Sequence, residues 1–232
     1  MANLVLGYGK LGKEIVAQTG WDYISRSKDG FDFAVLNSYY YYLDNHDTVI
    51  NCIAHTNTYS DERQKHLDIN FKAVCDLVDY CNITGKKFVH ISSDYVYSGS
   101  VAHARESDVP VHNRCWYTYS KLLADGYIEA RCNNYLIIRT SFKPRPFPYP
   151  KAITTQWGNF DYVNTISSLI IELINTDAAG IVNVGTKLKD IYTLAVQTRP
   201  DVMPVFEYLD AEMPTDISMD LSKMRKYLKR ES

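Results

Sequence analysis

The sequence has no long apolar run, no Cys-x-x-Cys pair and no excess of charge of one sign. Its longest apolar runs, such as residues 136–138, are far shorter than the about 18 residues that a membrane span needs. Five cysteines, an odd number, argue against a disulfide framework and a zinc site. A formal net charge of −2 gives no electrostatic reason to bind nucleic acid or an anionic membrane. We therefore expect no metal, no nucleic-acid partner and no membrane partner.

The first residues also lack a basic leader, because the chain reaches a glycine at Gly7 directly after a short apolar segment. Together with the unpaired cysteines, this predicts a cytoplasmic protein. The 232 residues are 46% apolar and 22% charged, which is typical of one globular domain, alone or with a small appendage.

Strand and helix patterns alternate along the first part of the chain. Strands are predicted over residues 4–6, 22–25, 48–53, 87–92 and 135–139, and helices over residues 10–18, 33–43, 66–81 and 120–131. Such alternation indicates parallel strands joined by helical crossovers. The predicted fold class is therefore α/β, with a doubly wound parallel sheet of the Rossmann type.

The pattern changes after Arg139, where four prolines within residues 143–150 exclude a helix. Helices are predicted again over residues 163–175, 190–197 and 220–229, with a strand over residues 181–184. We predict a dinucleotide-binding Rossmann core at residues 1–141. Residues 142–232 should contain the last sheet elements, interleaved with a small, shortened C-terminal substrate-binding lobe.

Three glycines follow the first predicted strand and open the first helix with the spacing Gly-x-Gly-x-x-Gly. In this position the first glycine allows a tight turn, the second lets the backbone approach a pyrophosphate, and the third lets the helix pack on the strand. We interpret the segment as a dinucleotide site and not as an ordinary strand-to-helix turn. Its residues are Gly7, Tyr8, Gly9, Lys10, Leu11 and Gly12.

Tyr117 and Lys121 are one helical turn apart, a spacing at which an ammonium can stabilise a phenolate and lower the pKa of the phenol. In a chain with 19 tyrosines such a pair also arises by chance. Ser93 favours the functional interpretation, because it follows a predicted strand whose carboxyl end lies at the ligand edge of the sheet. There Ser93 could donate to the same carbonyl oxygen that Tyr117 protonates. The three residues predict a proton-transfer site beside a dinucleotide.

Four segments resemble the extended short-chain dehydrogenase/reductase family, and within it the dTDP-4-dehydrorhamnose reductase branch. They are Val-His-Ile-Ser-Ser-Asp-Tyr-Val-Tyr-Ser-Gly at 89–99, Asn-Cys-Ile-Ala-His-Thr at 51–56, Arg-Thr-Ser at 139–141 and the Tyr-x-x-x-Lys pair. The resemblance implies an NAD(P)H-dependent reductase of a nucleotide-linked 4-keto-6-deoxy sugar. It also implies the catalytic roles: Tyr117 gives a proton to the sugar carbonyl oxygen, Ser93 orients that oxygen, and Lys121 lowers the phenol pKa and holds the nicotinamide ribose.

Departures from the family pattern leave two alternatives. Asp94 is followed by Tyr95, where a 4,6-dehydratase of this family would carry Asp-Glu, so that dehydration is disfavoured while a nucleotide-sugar epimerase remains. The chain is also short for the family in the third-strand region and in the substrate lobe. This favours a non-catalytic NADP-binding regulatory subunit, of the kind that attaches to methionine adenosyltransferase, whereas the intact Ser, Tyr and Lys set favours an enzyme.

The residues after the second strand predict which cofactor is used. NAD-binding folds offer an acidic side chain to the ribose here, whereas Arg26 can grip a 2′-phosphate with paired charged hydrogen bonds. NADPH is therefore expected, with NADH as the alternative because Asp29 is close in sequence. His55 is interpreted as a satisfied loop histidine in preference to a residue of the cofactor edge. The remaining predicted cofactor residues are Ser25, Ser27, Asp32, Phe33, Cys52, Ile53, Ala54 and Asn70, the last by its match to a helix asparagine of the family.

The resemblance also implies partners. The substrate would be a nucleotide sugar, whose diphosphate the cations Lys143, Arg145 and Lys151 could meet, although a solvated basic turn explains them equally well. Family members commonly pair two helices into a homodimer interface. The apolar residues available for it are Phe71, Val74, Val78, Leu122, Leu123 and Tyr127, unless these side chains face the sheet.

Overall fold

A computed structural model describes residues 2–35, 40–58, 60–110, 115–206 and 214–230. Its elements, in chain order, are β1 (Asn3–Leu6), α1 (Lys10–Thr19), β2 (Asp22–Ile24), α2 (Arg26–Asp29), α3 (Tyr40–Asp44), β3 (Thr48–Asn51), α4 (Arg63–Leu67), α5 (Ala73–Thr84), β4 (Lys87–Ile91), α6 (Trp116–Arg131), β5 (Tyr135–Arg139), β6 (Phe142–Lys143), β7 (Lys151–Ile153), β8 (Trp157–Gly158), β9 (Asp161–Tyr162), α7 (Val163–Ile174), β10 (Gly180–Asn183), β11 (Lys189–Asp190), α8 (Ile191–Ala195), β12 (Met203–Val205), β13 (Asp216–Ile217) and α9 (Ser222–Tyr227). A π-helical turn, Asp68–Lys72, joins α4 to α5, and a 3₁₀ turn, Asp94–Tyr97, follows β4.

A six-stranded sheet in the order β10-β5-β4-β3-β1-β2 forms the centre of the fold. Every neighbouring pair in it is parallel. All four residues of β3 and the last four of both β4 and β5 are buried, as is typical of parallel strands covered on both faces. The predicted doubly wound parallel sheet of the Rossmann type is confirmed.

Helices cover the two faces of the sheet as separate layers. Val5 of β1 faces the layer that contains α1 and α7, whereas Leu4 and Leu6 face the layer that contains α5 and α6. This division follows from the two-residue period of a strand, in which successive side chains point to opposite faces. Both layers are apolar because each helix presents one apolar stripe to the sheet.

The strand order reverses beside β1, which lies between β2 and β3. In open α/β sheets, ligands bind at such a switch point, in the crevice outside the carboxyl ends of the strands. The glycine-rich turn after β1 and the loop that begins at Cys52 after β3 both leave the sheet at this edge. The fold therefore places two of the sequence-predicted segments side by side.

The helix predicted over residues 33–43 is wrong in its first part. Residues 33–35 are not helical, residues 36–39 lie outside the described residues, and α3 covers Tyr40–Asp44. Before it, the side chain of Asp32 accepts a hydrogen bond from the backbone N–H of Ala34 at 3.1 Å, and its carbonyl accepts one from Val35 at 3.0 Å. Such local bonds from an aspartate stabilise a turn in competition with a helix.

Two other helices start earlier than predicted, and this changes what the site contains. The helix predicted from residue 66 starts at Arg63, so that one more turn of it faces the sheet edge. The helix predicted from residue 120 starts at Trp116, after Cys115, whose sulfur accepts from the Thr118 N–H at 3.4 Å. Tyr117 therefore lies in the first turn of α6.

After β5 the chain forms short strand pairs around a small apolar cluster of its own. β6 pairs with β9, β7 with β12, and β8 with both β11 and β13, while β10 returns to the central sheet. The cluster contains Phe147, Phe160, Tyr162, Leu194 and Val202. The boundary at residue 141 and the role of the later residues as a substrate lobe stay predictions.

Two of the residues considered for a homodimer interface are unavailable for it. Val74 and Val78 are fully buried in the layer between α5 and the sheet. Phe71 and Tyr127 are half-buried, and their rings meet edge to face with centroids 6.3 Å apart. The homodimer itself stays a prediction.

The described part of the chain contains neither a membrane-spanning helix nor a metal-binding cluster. None of its helices is both long and apolar enough to cross a bilayer. Within the same residues, no group of three or more His, Cys, Asp or Glu side chains is arranged to hold a metal ion.

Candidate functional site

The turn between β1 and α1 depends on glycine at two positions. Gly7 has a φ of 93°, a left-handed conformation that side chains disfavour. A Cβ at Gly12 would lie 2.1 Å from the carbonyl oxygen of Gly7, so that α1 can pack this closely only without a side chain there. Gly9 caps α1 without a side-chain hydrogen bond, and a Cβ built on it would meet nothing within 4 Å. The turn thus leaves the N-terminal N–H groups of α1 accessible to an anion.

A first cavity of about 1010 Å³ opens beside this turn. The sequence-predicted cofactor residues that line it are Gly7, Tyr8, Gly9, Ser25, Arg26, Ser27, Asp32, Phe33, Cys52, Ile53 and Ala54. His55 lines it too, although the sequence favoured a loop histidine away from the cofactor edge. One wall is completed by four residues that no motif in the sequence indicated: Gln64, Lys65, Asp68 and Ile69.

Arg26 is a cation in the lining of this cavity and lies in the short helix that follows β2. Its guanidinium is exposed and lies 3.4 Å from the carboxylate of Asp32. The carboxylate of Asp29 is turned back to accept a hydrogen bond from the backbone N–H of Ser25 at 2.9 Å. The hydroxyl of Ser25 in turn accepts from the N–H of Lys28 at 3.2 Å and caps α2. These bonds hold Asp29 beneath the turn, while Arg26 faces the cavity.

A second cavity, of about 480 Å³, adjoins the first and shares Gly9, Cys52 and Ala54 with it. The other sequence-predicted residues that line it are Lys10, Leu11, Ser93, Tyr117 and Lys121. The structure therefore brings all three predicted catalytic residues to one cavity beside the glycine turn. They arrive from β4 and α6, which are far from the glycines in sequence.

Ser93 and Tyr117 face one another from the end of β4 and the start of α6. The Ser93 hydroxyl accepts from the N–H of Tyr95 at 3.2 Å, which fixes its direction at the head of the 3₁₀ turn. Burial raises the pKa of Tyr117 to about 12, and a hydrogen bond with Ser93 opposes that rise. The phenol is therefore protonated at neutral pH and can act as an acid.

Lys121 is held by β4. Its ammonium nitrogen, on a side chain 1% exposed, donates to the carbonyl oxygen of Ile91 at 2.7 Å and lies 2.8 Å from Nε2 of His90. Burial lowers the pKa of Lys121 to about 8, while the carboxylate of Asp125 opposes the shift. The net pKa of Tyr117 is raised in this arrangement, and the expected lowering of that pKa by Lys121 stays a prediction. The physical reason for the raised pKa is that the burial of the phenol outweighs the opposing effects.

Asp94 lines the same cavity, next to Ser93. Burial raises its pKa to about 7, against the charge of Lys143 and hydrogen bonds from Ser141 and Ser93. Of the three cations considered for a substrate diphosphate, Lys143 lines this cavity. The guanidinium of Arg145 instead lies over the ring of Tyr162 at 5.8 Å. Lys151 is an exposed residue of β7.

Asn70, predicted at the cofactor, is a buried residue of the π-helical turn, and its contact with a cofactor stays a prediction. Its Oδ1 accepts from the backbone N–H of His55 at 2.8 Å, and its Nδ2 donates to the His55 carbonyl oxygen at 3.1 Å and to the hydroxyl of Ser120 at 3.0 Å. The amide thus joins the loop after β3 to α6. It positions the wall of the first cavity and the helix of Tyr117 relative to each other.

Comparisons with known proteins identify a family and similar folds. The family described as RmlD substrate binding domain matches residues 1–143. The spore coat polysaccharide biosynthesis protein SpsK of Bacillus subtilis is 32% identical over 146 residues, which are 58% of this chain and 50% of SpsK. The chain thus matches about half the length of that curated relative.

Solved structures match over the whole fold. A hypothetical dTDP-4-dehydrorhamnose reductase from Sulfolobus tokodaii is 26% identical with a TM-score of 0.83, covering 100% of this chain and 96% of that one. The dTDP-4-dehydrorhamnose reductase of Bacillus anthracis in complex with NADP is 20% identical with a TM-score of 0.81, covering 97% of this chain and 92% of that one. At that identity the second similarity shows the fold alone.

Proposed function

Because the chain belongs to the RmlD substrate binding domain family, we propose that it is an NADPH-dependent reductase of a nucleotide-linked 4-keto-6-deoxy sugar. The resemblance to the dTDP-4-dehydrorhamnose reductase branch, recognised from four motifs, is confirmed by this family and by the matching structures. One observation carries the proposal: Ser93, Tyr117 and Lys121 line a single cavity that adjoins the glycine turn.

The residues of the first cavity fit a dinucleotide. The turn at Gly7 and the bare helix cap at Gly9 provide room and N–H donors for a pyrophosphate, and Arg26 provides a cation for a 2′-phosphate. The Bacillus anthracis structure contains NADP, and another matching structure, MoeE5, contains NAD with UDP-glucuronic acid. We propose NADPH as the cofactor, with NADH as the alternative.

The cofactor supplies the hydride in this proposal, and the protein supplies alignment and the proton. Tyr117 donates its phenolic proton to the carbonyl oxygen of the sugar. Ser93 hydrogen-bonds to the same oxygen and orients it, and Lys121 holds the ribose. Lys143 lies where a cation can contact a phosphate of the bound nucleotides.

One observation favours the epimerase as a second candidate. Asp94 lines the catalytic cavity with a pKa raised to about 7 by burial, so that acid and base forms are both populated at neutral pH. A carboxylate of this kind can remove a proton from the carbon next to a ketone. The non-catalytic regulatory subunit has no such support, because the three catalytic residues are present in one cavity.

The proposal is tested by mixing the protein with NADPH and a panel of dTDP- and UDP-4-keto-6-deoxyglucose substrates. We expect loss of the nicotinamide absorbance with at least one of them. Epimerised sugar without loss of absorbance would support the epimerase. NADPH binding without any change in any sugar would contradict both enzymes and support the regulatory subunit.

We expect NADPH to be preferred over NADH, and Arg26→Ala to remove that preference. A hydrogen bond between charged groups contributes about 1.5–3 kcal/mol, so kcat/KM for NADPH should fall about 10- to 100-fold while the value for NADH changes little. Lys28→Ala is the matched control, because the Lys28 ammonium lies 4.3 Å from the ring centre of Tyr23 and outside the cavity lining. A wild-type preference for NADH, or an unchanged ratio in Arg26→Ala, would refute this assignment.

A further inference from the structure

Asn51, His90 and Lys121 form a buried hydrogen-bond chain behind the catalytic cavity. Asn51 and His90 are register partners on β3 and β4, and both are completely buried. Nδ2 of Asn51 lies 3.2 Å from Nδ1 of His90, and Nε2 of His90 lies 2.8 Å from Nζ of Lys121. Nζ also lies 2.7 Å from the carbonyl oxygen of Ile91. The proposed function assigns no role to Asn51 or His90.

A hydrogen bond from the backbone of Ile53 fixes the orientation of the Asn51 amide. The backbone N–H of Ile53 donates to Oδ1 of Asn51 at 3.0 Å, and an N–H group can only donate. The oxygen of the amide must therefore face Ile53. Its NH₂ group consequently faces His90 and donates to Nδ1.

The tautomer of His90 follows from this orientation. Nδ1 accepts from Asn51, so it carries no proton, and the single proton of a neutral imidazole must be on Nε2. The doubly protonated ring is disfavoured, because burial holds the pKa of His90 well below its usual value. Nε2–H then points at Nζ of Lys121.

The protonation state of Lys121 follows from this tautomer of His90. A hydrogen bond from Nε2–H needs a lone pair on Nζ, which a free amine has and an ammonium lacks. The amine in turn donates one of its own protons to Ile91. An ammonium in the same place would set two N–H groups against each other at 2.8 Å.

We propose that Asn51 and His90 are positioning residues that favour the uncharged amine form of Lys121 while Lys121 remains bonded to β4. When Lys121 leaves His90 for another partner, this preference is lost, and the amine takes up a proton from solvent and becomes an ammonium. In the catalytic cycle, a step that rests on the proposed function, the cation beside Tyr117 is thus favoured once Lys121 changes partner.

The other ionisable groups that face Lys121 do not reverse this assignment. The Asp125 carboxylate, on the same helix, already accepts from Arg139 at 2.9 Å and from Ser92 at 3.0 Å. The thiol of Cys52, after β3, stays protonated, because burial raises its pKa to about 12. The pKa of Tyr117 is also about 12, so its phenol is neutral.

The test reads the tautomer of His90 directly, by ¹⁵N NMR of protein labelled at histidine, without added nucleotide. The His90 resonances are identified by their loss in His90→Gln. We expect a pyridine-type Nδ1 and a pyrrole-type Nε2 in the wild type. A pyrrole-type Nδ1 of His90 in the wild type would overturn the proposal even if neither Asn51 variant folds.

Two substitutions at Asn51 then distinguish the effect of reversing the hydrogen bond to His90 from the effect of added charge. In Asn51→Asp the carboxylate can only accept a hydrogen bond. Nδ1 of His90 should therefore become pyrrole-type and Nε2 pyridine-type. The pKa of Lys121, followed by its ¹³Cε resonance, should rise by about one unit or more. Asn51→Leu removes the donor without adding charge and should raise this pKa by less. An unchanged tautomer and an unchanged Lys121 pKa in Asn51→Asp would overturn the proposal. None of these measurements needs an active enzyme, so failure of the proposed reductase remains a separate result.

Discussion

Replacing Tyr117 by Phe is expected to lower kcat by about 10² to 10⁴-fold, the usual contribution of a positioned general acid. The phenol is protonated at neutral pH and lines the cavity that holds Ser93, so that its removal takes away the proposed proton donor. NADPH affinity should stay nearly intact, because the substitution removes only the phenolic oxygen and keeps the aromatic ring. The measurements are steady-state turnover with the active sugar substrate and NADPH binding by fluorescence.

The control for this substitution lies two residues further along α6. Tyr119→Phe also removes one phenolic oxygen, and it keeps the ring that meets Trp116 edge to face with centroids 5.7 Å apart. It should retain wild-type turnover. Full turnover in Tyr117→Phe would instead remove Tyr117 from the mechanism, and a loss in both variants would point to damage of α6.

Lys121→Ala should differ from Tyr117→Phe in a diagnostic way. Lys121 is proposed to hold the ribose as well as to act on Tyr117, so that its loss should weaken both kcat and NADPH binding. A fall in kcat alone would restrict Lys121 to an effect on the phenol.

The position of the site was predictable because it depends on local patterns and on one general rule. The glycine spacing identifies the turn after β1, and parallel strands bring their carboxyl ends to the same edge of a sheet. Ser93 and Tyr117 could therefore be assigned to this edge from sequence. The same reasoning correctly gave the parallel sheet.

The partner of Lys121 was not predictable from the sequence, although His90 stands inside a recognised motif. The helical spacing of Tyr117 and Lys121 says that the two share a face of α6, but not which atoms the ammonium reaches. That depends on the pairing of Asn51 with His90 across β3 and β4, which is a contact between segments 39 residues apart. No pattern within either segment encodes it.

Two further errors have similar physical causes. The apolar period of the helix over residues 66–81 shows that it has a buried face, but not whether the sheet or a second subunit covers Val74 and Val78. Residues 33–35, predicted as the start of a helix over residues 33–43, are not helical, because a single side chain, Asp32, stabilises a competing turn. Periodicity counts apolar residues and does not include such polar bonds.

The prediction with the largest expected effect on stability concerns the ion pair between Asp125 and Arg139. Nε of Arg139 donates to Oδ2 of Asp125 at 2.9 Å, and the two side chains are 2% and 1% exposed. The guanidinium also donates to the hydroxyl of Tyr97 at 2.9 Å and to the carbonyl oxygen of Glu106 at 2.8 Å. The pair thereby ties α6, which carries Tyr117 and Lys121, to β5.

Asp125→Ala should lower the free energy of unfolding by about 3–5 kcal/mol, because it leaves a buried guanidinium without its carboxylate. The guanidinium cannot escape this by losing its proton, because arginine stays protonated in proteins. Glu172→Ala is the control: it breaks the exposed pair with Arg230, whose atoms are 2.6 Å apart, and should cost less than about 1 kcal/mol. Urea unfolding followed by circular dichroism measures both.

A double replacement tests whether the stability lost in Asp125→Ala comes from the missing ion pair or from the unpaired charge of Arg139. If the unpaired charge is responsible, Asp125→Leu combined with Arg139→Met should recover much of the stability lost in Asp125→Ala, because two apolar side chains need no desolvation of ions. Equal losses in the exposed and the buried pair would contradict this account. Restored stability with turnover still reduced would show that the pair is needed to hold α6 in register with β5, and so to place Tyr117 in the cavity.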